Sequence, residues 1–225
     1  MEKPKYIDMY KDFLTLVKKA RVGTVVPEEF TRVLNLAIEE VVNTRLSTLE
    51  MSKKVYDDLS PLRKTFKSQA MTIDTNDNFT SCICTINSTS GYRRIASVSI
   101  NLSATIKNVK CHLLSSAEKT EVLNGYYSKP SKYKCYYIPV VESSSQKLRI
   151  FIPSGYTTGI TSNFDIYVNP DVVPVADVTD NTKYFQFSKE VSVSVINAAA
   201  RMYIEGNADP RYQSFLTEQQ IKLNN

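Results

Sequence analysis

"KYKCYYIPVVESSSQKLRIFIP" (residues 132–153) sets the fold class. Its two halves, 132–141 and 146–153, are rich in tyrosine, valine and isoleucine and alternate over short runs. Glu142–Ser145 between them has the length and composition of a hairpin loop. Period-2 alternation places successive side chains on opposite faces of a pleated strand. On a strand starting at Lys132, Tyr133 and Cys135 share one face, and Lys132, Lys134 and Tyr136 share the other. Pro139 has no N–H to give to a ladder, which marks an edge strand or a strand end.

Immediately upstream, "YYSKPS" (126–131) continues the interleaving of lysine with tyrosine. Such a pattern serves a stacking platform for single-stranded nucleic acid, or an assembly surface on which lysines guard an edge and tyrosines supply half-wet packing. Gly125 ends a short helix over "SSAEKTEVLN" (115–124), and Pro130 turns the chain into extended structure, so the assembly surface is the preferred reading.

Outward from this hairpin the chain keeps the strand period from 71 to 170. "IASVSINL" (95–102), "ATIKNVKCHLL" (104–114) and "FDIYVNP" (164–170) are the further strands. The period changes to helical at both ends. Tyr6, Met9, Tyr10, Phe13, Leu14 and Val17 form one apolar stripe, and Gly23 breaks that helix. Pro27 opens a second helix with Glu28 and Glu29 in its first turn and Phe30, Val33, Leu34, Ala37, Ile38, Val41 and Val42 along one side. Near the C-terminus, Ser188 caps a helix carrying Val191, Val195, Ala198, Ala199 and Met202, and Gly206 stops it. Asp209-Pro210 then begins a terminal helix through Leu216.

The segment between is polar and charged, with Lys53, Lys54, Arg63, Lys64 and Lys67 against Glu50, Asp57 and Asp58. It reads as an arm or linker that stays mobile until docked. The expected architecture is α+β: an N-terminal helical hairpin (1–46), the arm (47–80), a mixed or antiparallel β-rich region with a short helix (81–187), and C-terminal helices (188–225) packing back on the helical part. Together they make one composite domain.

Composition narrows the function. The 225 residues carry a net charge of +5, mildly basic, short of the clustered excess of a dedicated nucleic-acid binder. Neither a signal-peptide run nor roughly 20 consecutive apolar residues occurs, so a cytosolic protein that does not enter a membrane is expected. In that compartment Cys82, Cys84, Cys111 and Cys135, which form no CxxC pair, are expected as buried reduced thiols. The three N-x-S/T matches at Asn78, Asn87 and Asn101 then carry no glycan.

Chemistry finds little support. His112 is the one histidine, and Val109, Cys111 and Leu113 around it suggest a structural position in a strand. Nothing local supports a Cys–His nucleophile or a zinc site. Asp74, Asn76 and Asn78 begin like a calcium loop, but Phe79 and Thr85 stand where glycine and glutamate are required. No catalytic residue, cofactor or metal is expected, although an enzyme using carboxylates leaves no motif to read.

The order of phrases over the C-terminal half resembles a known group. "EVLNGYYSKPSKYKCYYIP", "LRIFIPSG", "DIYVNPDVV", "YFQFSKEVSVSVINAAARMYIE" and "DPRYQSF" follow one another. This order, with the N-terminal "PEEF" opening of a long amphipathic helix, resembles the neck and tail ring proteins of crAss-like podoviruses, phages of Bacteroides-type gut bacteria. Residues 47–116, including "MTIDTNDNFTSCICT", match no phrase of that group. The resemblance implies a structural virion protein assembled in the host cytoplasm: a head-to-tail adaptor forming a dodecameric ring with itself. Its other partners would be the portal, further tail ring proteins and, transiently, phage DNA in the lumen. Subunit or ring contacts are then expected at Tyr126, Tyr127, Lys129, Lys132, Tyr133, Tyr136, Arg211 and Tyr212. The alternative function is a nucleic-acid-binding module built on the Tyr/Lys strand.

Overall fold

The computed structural model describes residues 3–20, 25–49, 53–74, 79–86, 91–142 and 145–206. The chain is α+β and forms two compact units, Met1–Pro61 with Pro170–Asn225, and Leu62–Asn169.

The first unit is helical. α1 (Tyr6–Lys19) buries Tyr6, Met9, Phe13 and Val17, the stripe its spacing predicts. α2 (Pro27–Ser47) starts on its proline, and the Glu29 carboxylate accepts the Val26 N–H at 3.3 Å. Phe13 meets Phe30 of α2 at 4.8 Å between ring centroids. α6 (Lys189–Gly206) packs against both α1 and α2 and so provides the surface the helical hairpin was expected to seek. Its fully buried Ala199 and Ala200 permit close approach, and Tyr203 stands edge-on to Phe13 at 5.7 Å. Full burial of Phe13, Phe30 or Leu34 contributes about 1.5–3 kcal/mol each. The helix runs through "VSVSV" because Val191 and Val195, four apart, are both buried while Val193 is half-exposed. Gly23 and the expected terminal helix 209–216 lie outside the described residues.

In segment 47–80, read from sequence as an arm, most of the described residues instead belong to regular elements. α3 (Lys53–Asp58) ends in a buried carboxylate: Asp58 pairs with Arg45 of α2 and accepts the Ser188 hydroxyl at 3.5 Å. After one 3-10 turn (Ser60–Leu62), β1 (Arg63–Ala70) and β2 (Thr72–Asp74) belong to the sheet. β1 escapes a reading by hydrophobicity because it is an edge strand with exposed polar side chains. Its order comes from backbone bonds to the neighbouring strand Thr161–Val168 and from contacts of Arg63, Thr65 and Phe66 with that strand.

The second unit is an eight-stranded mixed sheet in the order β1-β8-β4-β5-β6-β7-β3-β2. The remaining strands are β3 (Ser81–Thr85), β4 (Tyr92–Asn101), β5 (Val109–Leu113), β6 (Cys135–Glu142), β7 (Ser145–Phe151) and β8 (Thr161–Val168). β1 and β2 occupy opposite edges, yet Met71 alone separates them. Two residues apart in sequence, Ala70 and Thr72 have Cα atoms within about 7 Å, so the sheet is rolled until its edges approach. The inside of the roll holds Cys82 and Cys84, Val98 and Ile100, Val109 and Cys111, Cys135 and Tyr137, Leu148 and Ile150, and Phe164, Ile166 and Val168. Each group is spaced by two, as alternation requires. β6 and β7 form the expected antiparallel hairpin, with Glu142 opposite Ser145. β5 and β6 make the parallel junction, Cys111 opposite Cys135.

Candidate assembly surface

The Tyr/Lys stretch folds as a braced loop between α4 (Lys119–Asn124) and β6. Ser115 closes the turn that leads into α4: its hydroxyl donates to Glu118 Oε2 at 2.7 Å and accepts the Glu118 N–H at 3.3 Å. Gly125 donates to Glu121 O at 3.0 Å and turns the chain to extended backbone. Beyond it, the Ser128 hydroxyl donates to Val122 O at 2.7 Å, and Tyr136 Oη donates to Ser128 O at 2.7 Å. Ser131 and Lys134 exchange backbone bonds of 2.8 and 3.2 Å, which leaves Lys132 and Tyr133 at a turn tip.

This scaffold holds large apolar surface in solvent. Tyr126 is 78% exposed, Tyr127 96% and Tyr133 78%. Tyr126 and Tyr127 meet edge to face at 4.8 Å. Lys129 Nζ lies 5.5 Å from the Tyr126 ring centre and Lys132 Nζ lies 5.0 Å from that of Tyr133, within cation–π range. Five of the expected contact residues (Tyr126, Tyr127, Lys129, Lys132 and Tyr133) thus sit exposed on one loop. Tyr136 does not join them. It is buried on the outer face of β6 with Leu114, Leu123 and Phe151. The cause is register: the strand begins at Cys135, so Tyr133 is a turn residue and shares no face with Cys135. Arg211 and Tyr212 lie outside the described residues.

Register also adds residues that spacing cannot find. His112 lies opposite Tyr136 across the parallel pair, and their rings are 6.3 Å apart. Burial, then Lys134 and Lys110, hold the His112 imidazole below its usual range, which favours the neutral form at pH 7. Lys110 and Lys134 therefore belong to the basic surroundings of the loop. No signal in the sequence pairs Lys110 with Lys134, because they become neighbours only through the β5–β6 pairing.

The thiols are separated from this surface. All four are free and buried, and they share the inside of the roll, while His112 is exposed on β5. Cys111 and His112, adjacent in sequence, point to opposite faces. Burial, then Cys84 and Cys135, push the Cys82 thiol up to about 12, and hydrogen bonding to Cys135 followed by burial raises Cys111. Thiolates, the nucleophilic and metal-binding form, are disfavoured there. Asp74, the first position of the calcium-like stretch, pairs with Arg149 at 3.0 Å, both side chains largely buried. Among the described residues no group of three His, Cys, Asp or Glu is placed to hold a metal, and no helix is long and apolar enough to cross a membrane.

The helical unit carries a groove of about 530 Å³ lined by residues of α2 and α6, Arg45 and Arg201 among them. Arg45 is paired with Asp58 and Arg201 with Glu40, so both guanidinium groups are already engaged inside the unit. Compared with known proteins, the chain matches no protein-family model, and no curated protein shows significant similarity to it.

Proposed function

We propose that the protein is a structural subunit that works by self-association, a ring of the neck or tail of a crAss-like phage that joins portal to tail and lines part of the DNA conduit. The observation that carries this reading is the braced loop 125–134. Three tyrosines are held almost fully exposed by at least four hydrogen bonds of the loop itself. Rigid aromatic side chains presented in this way are the composition of an interface core, since they bury much area at small cost in rotamer freedom. The order of sequence phrases supplies the particular assembly. On this reading the chain has no catalytic role and belongs to the virion.

Native mass spectrometry and negative-stain microscopy of the purified chain test the reading. A closed ring with a central opening is the expected result. A chain that is monomeric at every concentration and never enters virions overturns it.

The lysine–tyrosine pairs favour one other reading, a single-strand binder. Its platform is reduced, because Tyr136 and Tyr137 are buried and leave Tyr126, Tyr127 and Tyr133. Unchanged oligonucleotide affinity in Tyr126→Ala/Tyr133→Ala eliminates it.

A further inference from the structure

Two surfaces of this chain carry uncompensated charge of opposite sign beside exposed apolar groups. The first is the loop just described. Lys129, Lys132 and Lys134 are exposed, and none pairs with an acid among the described residues.

The second is "DVVPVAD", residues 171–177, in the helical unit, which leads into α5 (Val175–Thr179). Val172 is 80% exposed and Val175 37%, and Pro174 and Ala176 beside Val175 are exposed too. Asp171 is exposed and Asp177 half-buried, and neither pairs with a cation among the described residues. Burial, then the charges of Asp177 and Asp171, push the Tyr6 hydroxyl up to about 12. The strip is also held in place. Asn35 of α2 grips Val173 from both sides, donating to its carbonyl at 3.0 Å and accepting its N–H at 2.9 Å. A strip of small apolar side chains flanked by carboxylates is the complement of a loop of tyrosines flanked by ammonium groups.

We propose that the Tyr126–Lys134 loop of one copy docks on the Asp171–Asp177 strip of the next. The tyrosines would cover Val172, Pro174 and Val175, and the lysines would meet Asp171 and Asp177. Because the two patches differ, the contact is heterologous, the head-to-tail kind from which a ring is built when its rotation closes. Tyrosine burial supplies the area, and the charges set direction and exclude loop-to-loop pairing. This inference rests on the ring reading and names its interface.

The experiment uses the full chain in two variants, Lys129→Glu/Lys132→Glu and Asp171→Lys/Asp177→Lys. Far-UV circular dichroism and melting confirm that each is folded. The wild type should give rings in native mass spectrometry, and each variant alone should give monomers. An equimolar mixture should restore rings, because an acidic loop now meets a basic strip and a basic loop still meets an acidic one. Restored rings should contain both variants equally, hence an even number of subunits. Tyr127→Ser, which leaves every charge in place, should raise the concentration needed for assembly about tenfold, as loss of a central aromatic anchor does.

If the wild type forms rings and both charge variants do too, or the mixture stays monomeric, the docking is overturned and the ring reading stands. A wild type that remains monomeric at every concentration overturns both. Loss of oligothymidylate binding in the loop variant, with its ring formation unchanged, overturns the docking and assigns the loop to nucleic acid.

Discussion

At the scale of single residues, the candidate surface depends on one glycine. A Cβ at Gly125 would stand 2.1 Å from Ser128 Oγ and 3.2 Å from the Glu121 carbonyl. Its φ is negative, so the requirement is space and not backbone conformation. Gly125→Ala should destabilise by about 1–3 kcal/mol in urea unfolding, as overpacking does. Gly125→Ala/Ser128→Ala should recover part of the loss, since the contacted hydroxyl is gone.

Asp165 offers a second residue-scale expectation. Burial alone would raise its carboxyl, but hydrogen bonds from Thr65, Arg63 and Ser97, with the Arg63 charge, hold it below its ordinary value of 3.8. A carboxylate with a lowered folded value stabilises above its unfolded value, and that contribution is lost as pH falls through the folded one. Urea midpoints should therefore drop as pH falls below 3.8, and Asp165→Asn should flatten this acid limb. At neutral pH the same substitution should cost about 2 kcal/mol, the loss of hydrogen bonds to a charged acceptor.

At the scale of elements, β1 shows why part of the fold was illegible. Its residues "RKTFKSQA" hold one large apolar side chain, Phe66, which stacks on Phe164 of β8 at 4.9 Å. The register slips between Phe66 and Gln69, and Ser68 at the slip has a φ of 50°. Its N–H donates to Asn163 Oδ1 at 2.8 Å, which holds the bulge. Ser68→Val should destabilise by roughly 1–2 kcal/mol, because a β-branched residue resists the left-handed region. Ser68→Gly should be neutral or stabilising, and chemical denaturation of both variants checks the contrast. By comparison α1, α2 and the β6–β7 hairpin were legible, since each buries one side of a regular period. α6 was legible with a small rotation: Ile196, Ala200 and Tyr203 are buried while Ala198 and Met202 lie nearer the surface.

At the scale of the whole molecule, the β unit is an insertion in the helical one. The chain enters it at Leu62 and leaves at Asn169, and Arg63 of β1 lies directly opposite Tyr167 of β8. Adjacent ends of this kind are what domain insertion tolerates. The core inside the roll is drawn entirely from residues of this unit. A polypeptide of residues 62–169 should therefore fold alone, with a β-type circular dichroism spectrum and a cooperative melt. A spectrum without ordered structure would show that the roll needs the helices.

The sequence by itself determined the class, the helical ends and the hairpin, because periodicity and turn residues are local properties. It also expected Cys82, Cys84, Cys111 and Cys135 as buried thiols. Tertiary structure alone decided that β1 and β2 close the two edges of one rolled sheet, that Tyr136 is buried under α4, and that Lys110 stands near Lys134. Each of these depends on strand order or register. Those are set by which distant backbone donors and acceptors pair and by the volume the roll must fill. A reading of neighbours along the chain has no access to either.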